Sequence, residues 1–364
     1  MFTFPLDQKS RIQSICSHAT SKINPIFEQV LIEADACANM IRFSASNGSQ
    51  FNSFKLEAMV SESCSFTLSA KRLATVLSAL AADTAKFELK DGMAIIKSGK
   101  SRLKSPASPA SDYPDAPTMI ESQASITCNI SELSALFNTA AYAVAKGDVR
   151  TYLCHVNVSI EAQTVKVCAT DGHRLSQLTH ENLTCSGNGS YLVPTSLISA
   201  VLAQSLPPET QVVISFDEQR ALITSSDTSV ISVLGEGRYP DVNRVIPNRT
   251  GGFVSFNLDD LKQTIKRFHA VASLEKNPIL CFDIDKEVVL SVSSIDEANS
   301  FAETIDHVEL HCPAITVGVN PSYLADALAK QGCDTVTFYF NQSTAILITC
   351  DIHELITLVM PVRC

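Results

Sequence analysis

Apolar residues along this chain follow two periods, and the periods come in a repeating order. Alternating runs such as Gln211 to Phe216, Ala221 to Thr224, Thr335 to Phe340 and Ala345 to Thr349 read as half-buried strands arranged in hairpin-like pairs. Other stretches place apolar residues three and four apart, as with Leu133, Leu136, Phe137, Ala140 and Ala141, which is the spacing of one helix face. A strand running into an amphipathic helix opens each of three units: Met1 to Thr20, Ser125 to Ala145 and Gly252 to Ala272. Alternating strands follow at Phe27 to Glu33, Cys154 to Ile160 and Ile279 to Ile284. A second strand-plus-helix pair then appears at Ser65 to Leu80, Ser190 to Leu202 and Ala314 to Ala329. The repeat length is roughly 120 residues, so the pattern predicts three similar domains, 1–122, 123–248 and 249–364. Each carries two helices on antiparallel sheet, an α+β architecture. The exits echo one another too, with Asp112-Tyr113-Pro114-Asp115 closing the first unit and Arg238-Tyr239-Pro240-Asp241 the second.

Composition narrows the class. With 45% apolar residues in 364 the chain has ample material for a core. It contains no apolar run long enough to span a membrane, and its first residues lack the basic and apolar regions of a secretory signal, so a soluble cytoplasmic protein is expected. The twelve cysteines are scattered through apolar runs without a CxxC pair. They are expected to be reduced packing residues, neither a zinc site nor a redox motif. A net charge of −10 argues against tight, direct binding of nucleic acid phosphates.

The sharpest local motif is Cys168-Ala169-Thr170-Asp171-Gly172-His173-Arg174-Leu175, two strand segments around an Asp-Gly turn. Asp171 and His173 invite a catalytic reading, but no nucleophile or second carboxylate accompanies them, and neighbours on a strand face opposite ways. The closest approach to metal-ligand spacing, His307 to His311, alternates like a strand, which would hold the two rings about 13 Å apart. No catalytic residue, metal or cofactor is expected.

Ala169 to Leu175 resembles the Ala-Thr-Asp-Gly-His-Arg-Leu signature of the bacterial DNA polymerase III beta subunit family, the sliding clamps. Gly237 to Asp241 with Arg244, Val245 and Pro247 resembles that family's second interdomain linker. Asn320-Pro321-Ser322-Tyr323-Leu324 resembles the start of its last helix, and Val359 to Cys364 its C-terminal tail. Weaker matches at Ser98 to Arg102 and Pro109 to Pro114 extend the likeness over essentially the whole chain.

The resemblance implies a head-to-tail homodimer, a six-domain ring whose twelve helices line a hole around double-stranded DNA. Twelve helices at roughly 10 Å spacing enclose a circle about 38 Å across, wide enough for hydrated duplex. Such a ring holds DNA by topology, which answers the charge objection. Charges sort accordingly: the six helical windows contain ten of the 28 basic residues and five of the 38 acidic ones. Lys9, Arg11, Lys22, Lys71, Arg72, Lys146, Lys262, Lys266 and Arg267 are the DNA-facing candidates. The implied partners are the polymerase III alpha subunit, other polymerases and a clamp loader. A cleft between the second and third domains would receive their short apolar-plus-Gln peptides, using Leu153, Thr170, Gly172, His173, Arg174, Leu175, Pro240, Arg244, Val245, Asn320, Tyr323, Val359, Met360, Pro361, Val362 and Arg363.

The departures are informative. At the implied dimer interface the chain has Leu103, Lys104, Ser105, Val271 and Ala272, smaller and more polar than the family's bulky apolar set, which predicts a weaker dimer. Near the cleft, Asn277, Ser343 and Ala345 also depart from the family, and the Ser-rich stretch from Ser44 to Ser53 has no role legible in the sequence. A monomeric decoy or regulator of clamp partners is the competing reading, and an enzyme using Asp171 and His173 a third.

Overall fold

The computed structural model describes residues 1–21, 23–249, 252–272, 278–293, 300–340, 345–350 and 354–364. Lys22, Asn277 and Ser343 lie outside the described residues. Six α-helices occur among them: α1 (Lys9–His18), α2 (Ala70–Ala79), α3 (Ile130–Ala140), α4 (Thr195–Leu202), α5 (Leu258–Ala272) and α6 (Pro321–Leu328). Each follows a strand at the position the repeat predicts, after Phe2–Pro5, Cys64–Ser69, Ala124–Asn129, Gly189–Val193, Gly252–Asn257 and Ile315–Val319. Three of these strand-to-helix junctions are capped by asparagine. Asn129 Oδ1 accepts from Glu132 N (2.9 Å) while Glu132 Oε2 accepts from Asn129 N (2.8 Å), a reciprocal box. Asn257 caps α5 through Asp259 N and Asp260 N, and Asn320 caps α6 through Ser322 N and Tyr323 N. α3 stops at Ala140 and a short 3-10 turn, Ala141–Ala143, follows it, so Lys146 sits in a bend rather than on a helix.

The chain forms two compact units, one of residues 1–134, 160–163 and 183–235, the other of 135–159, 164–182 and 236–364. In the first, a five-stranded antiparallel sheet runs from Met59–Val60 through Phe2–Pro5, Thr84–Lys90 and Met93–Ser98 to Ser101–Pro106, whose outer edge pairs with no other strand among the described residues. A ten-stranded sheet accompanies it. Its joint lies where Gln50–Glu57 pairs with Thr228–Val233, Phe54 standing opposite Thr228 and Ser53 opposite Ser229. This gives the Ser-rich stretch a role, because it forms the tip of the hairpin between Met40–Ser46 and Gln50–Glu57, whose second arm welds strands distant in sequence into one sheet. Small polar side chains suit that seam, with Asn52, Thr228 and Ser232 buried there. Phe2, Phe4, Phe43, Phe54 and Phe87 stack into the core beneath α1 and α2.

In the second unit a run of antiparallel strands proceeds from Thr164–Thr170 to Arg174–His180, Leu355–Val359, Ile346–Cys350, Thr335–Phe340, Gly252–Asn257 and Glu309–His311. The joint here is Arg174 opposite Val359. A four-stranded sheet, Ser300–Ile305, Val288–Ser293, Leu280–Ile284 and Ile315–Val319, backs onto the core of Phe256, Phe268, Phe282 and Phe338. Among the described residues no helix is long and apolar enough to cross a membrane.

The cysteine expectation is corrected in part. Cys281 is bonded to Cys364 and Cys333 to Cys350. Their sequence separations of 83 and 17 residues leave no local pattern to read. The other eight are free thiols, and burial pushes those of Cys16, Cys128 and Cys168 up to about 12, leaving them unreactive packing residues.

Candidate functional site: an apolar cleft beside the C-terminal tail

The Asp171 turn organises the site. Gly172 adopts φ +90°, a conformation that side chains disfavour, and this lets Asp171 Oδ1 accept from His173 N (2.9 Å) and Arg174 N (3.0 Å). Thr170 Oγ1 accepts from Gly172 N and donates to Arg174 O (2.6 Å), closing the turn from the other side. Asp171 Oδ2 accepts a hydrogen bond from Arg174 Nε at 3.0 Å, so the Asp171 carboxylate is committed to holding the turn.

Arg174 is the pivot. Its guanidinium also reaches Asp326 on α6 at 2.6 Å and lies 4.5 Å over Tyr323 and 5.4 Å over Tyr142. Burial opposes its charge, but the hydrogen bonds to Asp326 and Asp171 outweigh that and drive its pKa upward. A helix, a turn and a strand are thus pinned at one cation.

Above this pivot opens a cleft of about 270 Å³, lined by Leu153, Thr170, Gly172, Arg174, Leu175, Pro240, Val245 and Met360. Arg150, Tyr152, Asp241, Val242 and Leu358 complete the lining and were not expected from the sequence. Leu175 and Leu358 form its apolar floor and belong to a buried cluster that also contains Cys168 and Leu347. Arg150 is held at the rim by Asp148 (2.8 Å), whose carboxyl that contact draws down to about 2. The whole lining belongs to the second compact unit.

An adjoining patch is built from the tail. Met360 N donates to His173 O (2.8 Å), and Val362 exchanges two backbone hydrogen bonds with Gly318. The His173 ring stacks on Tyr323 with centroids 6.1 Å apart, and Met360 and Val362 remain about 41% and 42% exposed. Pro361 is half-buried and Arg363 exposed along this tail.

Several expectations are corrected. Val359 is completely buried and packs in the core; its neighbours Leu358 and Met360 line the cleft, because alternate strand residues face alternate ways. Strand parity could have given this from the sequence. Arg244 is turned outward and bound to Asp241 at 3.0 Å. The Asn320 carbonyl oxygen is occupied in capping α6.

Of the basic candidates, Arg11 cannot meet DNA as expected. Its side chain is 11% exposed, paired with Asp227 at 2.7 Å and laid over the Phe54 ring at 4.6 Å. Lys71 and Arg72 on α2 and Lys266 on α5 are exposed, and Lys9 is half-buried. Lys146 is exposed but off the helix. Lys262 donates to Gln331 O at 3.4 Å, and Arg267 is bound to Glu303 at 2.6 Å. Of the interface candidates, Leu103, Lys104 and Val271 reach solvent, whereas Ser105 and Ala272 are buried within their own units and offer no outward surface.

Comparison with known proteins places this geometry. Residues 127–241 match the family model for the DNA polymerase III beta subunit, central domain, and residues 243–363 match that for its C-terminal domain. A protein named beta sliding clamp from Streptococcus pneumoniae is 26% identical over 380 residues, covering 100% of both chains. A beta sliding clamp from Haemophilus influenzae is 24% identical over 363 residues, covering 97% of this chain and 96% of its own. The crystal structure of the beta subunit of DNA polymerase from Streptococcus pyogenes superposes with a TM-score of 0.92 at 20% identity over 100% of each chain.

Proposed function

This chain belongs to the DNA polymerase III beta subunit family, and from that premise we propose that it is a sliding clamp, a processivity factor that encircles duplex DNA and tethers polymerases through the cleft beside Met360. The observation that carries the tethering role is the cleft itself: an apolar floor, a rim that includes Arg150, and Met360 along one side, with the His173 ring in the adjoining patch. An extended peptide lodging Leu or Phe side chains on Leu175, Val242 and Leu358 would gain the usual hydrophobic stabilisation, with Gln orienting at the polar rim. The partners on this reading are double-stranded DNA, the polymerase III alpha subunit, other polymerases and a clamp loader.

The proposed ring draws on two sheet edges that are unpaired among the described residues. The five-stranded sheet ends at Ser101–Pro106 and the four-stranded sheet at Ser300–Ile305. Unpaired edges invite another strand. Pairing one protomer's first edge with its partner's second would join them as the internal joints of each unit join strands distant in sequence, giving a head-to-tail dimer of three-domain protomers, 1–122, 123–248 and 249–364. The two family matches begin and end close to the second and third of these domains, which supports the division. The exposed Lys71, Arg72 and Lys266 are the best remaining residues to face the duplex, acting as a diffuse positive lining. We read the chain as a binding module and not an enzyme, since the Asp171 carboxylate is consumed by its own turn and by Arg174.

The alternative reading, a monomeric decoy of clamp partners, draws on Arg102 and Lys104, which give the first edge a cationic surface that opposes close apolar packing. Peptide binding tests the tethering role shared by both readings. A fluorescein-labelled pentapeptide carrying one Gln followed by Leu and Phe binds the wild type, and Met360→Asp weakens it by roughly tenfold or more by placing a charge on the cleft wall. Equal affinity for both proteins would place the peptide elsewhere.

A further inference from the structure

We infer that the Cys281–Cys364 disulfide is a redox-sensitive tether that holds in place the C-terminal tail, whose Met360 lines the cleft, so that reduction loosens the tail and weakens partner binding. The inference deepens the sliding-clamp reading and rests on it for the binding part alone. The tail after the strand Leu355–Val359 is secured at three successive points: Met360 N to His173 O, Val362 to Gly318 by both backbone bonds, and Cys364 to Cys281 by the covalent bridge. These anchors form one fabric. Cys281 stands opposite Gly318 in the sheet register, and Gly318 is the residue that holds Val362. A side chain added at Gly318 would meet Val362 O at 2.8 Å and Cys364 Sγ at 3.1 Å, so the tail lies directly on this strand.

The two disulfides differ in access. Cys364 is exposed and Cys281 half-buried, whereas Cys350, in the other bridge, is only 7% exposed. Attack from solvent therefore falls on Cys364. The thiolate of a small dithiol reductant attacks Cys364 Sγ, forming a mixed disulfide and releasing Cys281 as a thiolate that takes up a proton. The reductant's second thiol then closes its own disulfide and frees Cys364 as a thiol, so two electrons and two protons pass to the protein. Val362 keeps only its two backbone bonds, and the exposed Met360 and Val362 side chains lose their fixed placement.

The test uses the full-length protein, oxidised and treated with dithiothreitol, beside Cys364→Ser. Amide hydrogen exchange of the tail is read together with affinity for the same labelled pentapeptide. The tether requires faster exchange at the Met360 and Val362 amides after reduction, a roughly fivefold loss of affinity, which is about 1 kcal/mol at 1.4 kcal/mol per decade, and a Cys364→Ser protein that behaves as the reduced form whether or not reductant is present. Tail exchange unchanged by reduction, or oxidised protein with free Cys281 and Cys364 thiols, would overturn it. Peptide binding to neither form, with the exchange difference intact, would overturn the cleft reading and leave the tether standing.

Discussion

Arg174 carries its charge into a place where only 9% of the side chain meets solvent, and everything around it is arranged to satisfy that charge. Asp171 and Asp326 accept its hydrogen bonds, and two tyrosine rings lie against it. Replacing it with alanine leaves two carboxylates facing each other across a gap, one of them poorly solvated. The expected cost is about 3 kcal/mol, the scale for breaking a buried pair, read as a lower urea midpoint with an unchanged slope. The sequence motif marks Arg174 clearly, but Asp326, 152 residues away, has no signal of its own. Arg11 shows the opposite failure. Its position in a helix with an exposed face suggests a DNA contact, yet its partner Asp227 comes from a strand that only the folded sheet brings near. Burial alone would raise the Asp227 pKa, but Arg11 outweighs it and holds the carboxyl below the usual range. Because the folded pKa is the lower one, the unfolded chain binds the extra proton. The stabilisation is therefore complete above about pH 3.9 and is lost as pH falls through the depressed value. Arg11→Leu should flatten this part of the acid-unfolding curve measured by circular dichroism; an unchanged acid limb would mean that the pair contributes nothing.

At the level of elements, the strand-then-helix order was readable three times over because it rests on local physics: alternation, then a change of period, then an asparagine or proline at the turn. The joints between strands were not. Pairing of Gln50–Glu57 with Thr228–Val233 and of Arg174–His180 with Leu355–Val359 depends on edges that meet only after each hairpin has formed, and nothing in local periodicity names the partner. The disulfides were hidden for the same reason. One of these joints carries the site, since Leu358 and Met360 face the cleft only because their strand is added in this register. The tail beyond that joint is seated on Gly318, which has no room for a methyl group against Val362 O and Ile279. Gly318→Ala should lift the tail and reduce peptide affinity several-fold, a shift comparable to that of a lost backbone hydrogen bond. Fluorescence anisotropy with the labelled pentapeptide measures it, and full affinity in this variant would show that the tail's seat does not matter to the cleft.

On the sliding-clamp reading, the whole molecule works by topology: a protein with a net charge of −10 stays on DNA because it surrounds it. Weak, diffuse attraction from a few exposed lysines and arginines is compatible with sliding, whereas tight phosphate contacts would oppose it. The charge pattern was visible in the sequence, but which basic side chains were already engaged within the chain was not, as Arg11 and Arg267 show. The direct measurement is retention after loading by a clamp loader onto nicked circular plasmid, followed by gel filtration at raised salt, with half of the sample linearised first. Encirclement predicts protein that travels with the circle as a dimer and is lost from the linear form by sliding off its ends. Equal loss from circle and line, or equal retention on both, would contradict it, the first favouring a monomer that only occupies clamp partners and the second a protein that grips DNA by contact.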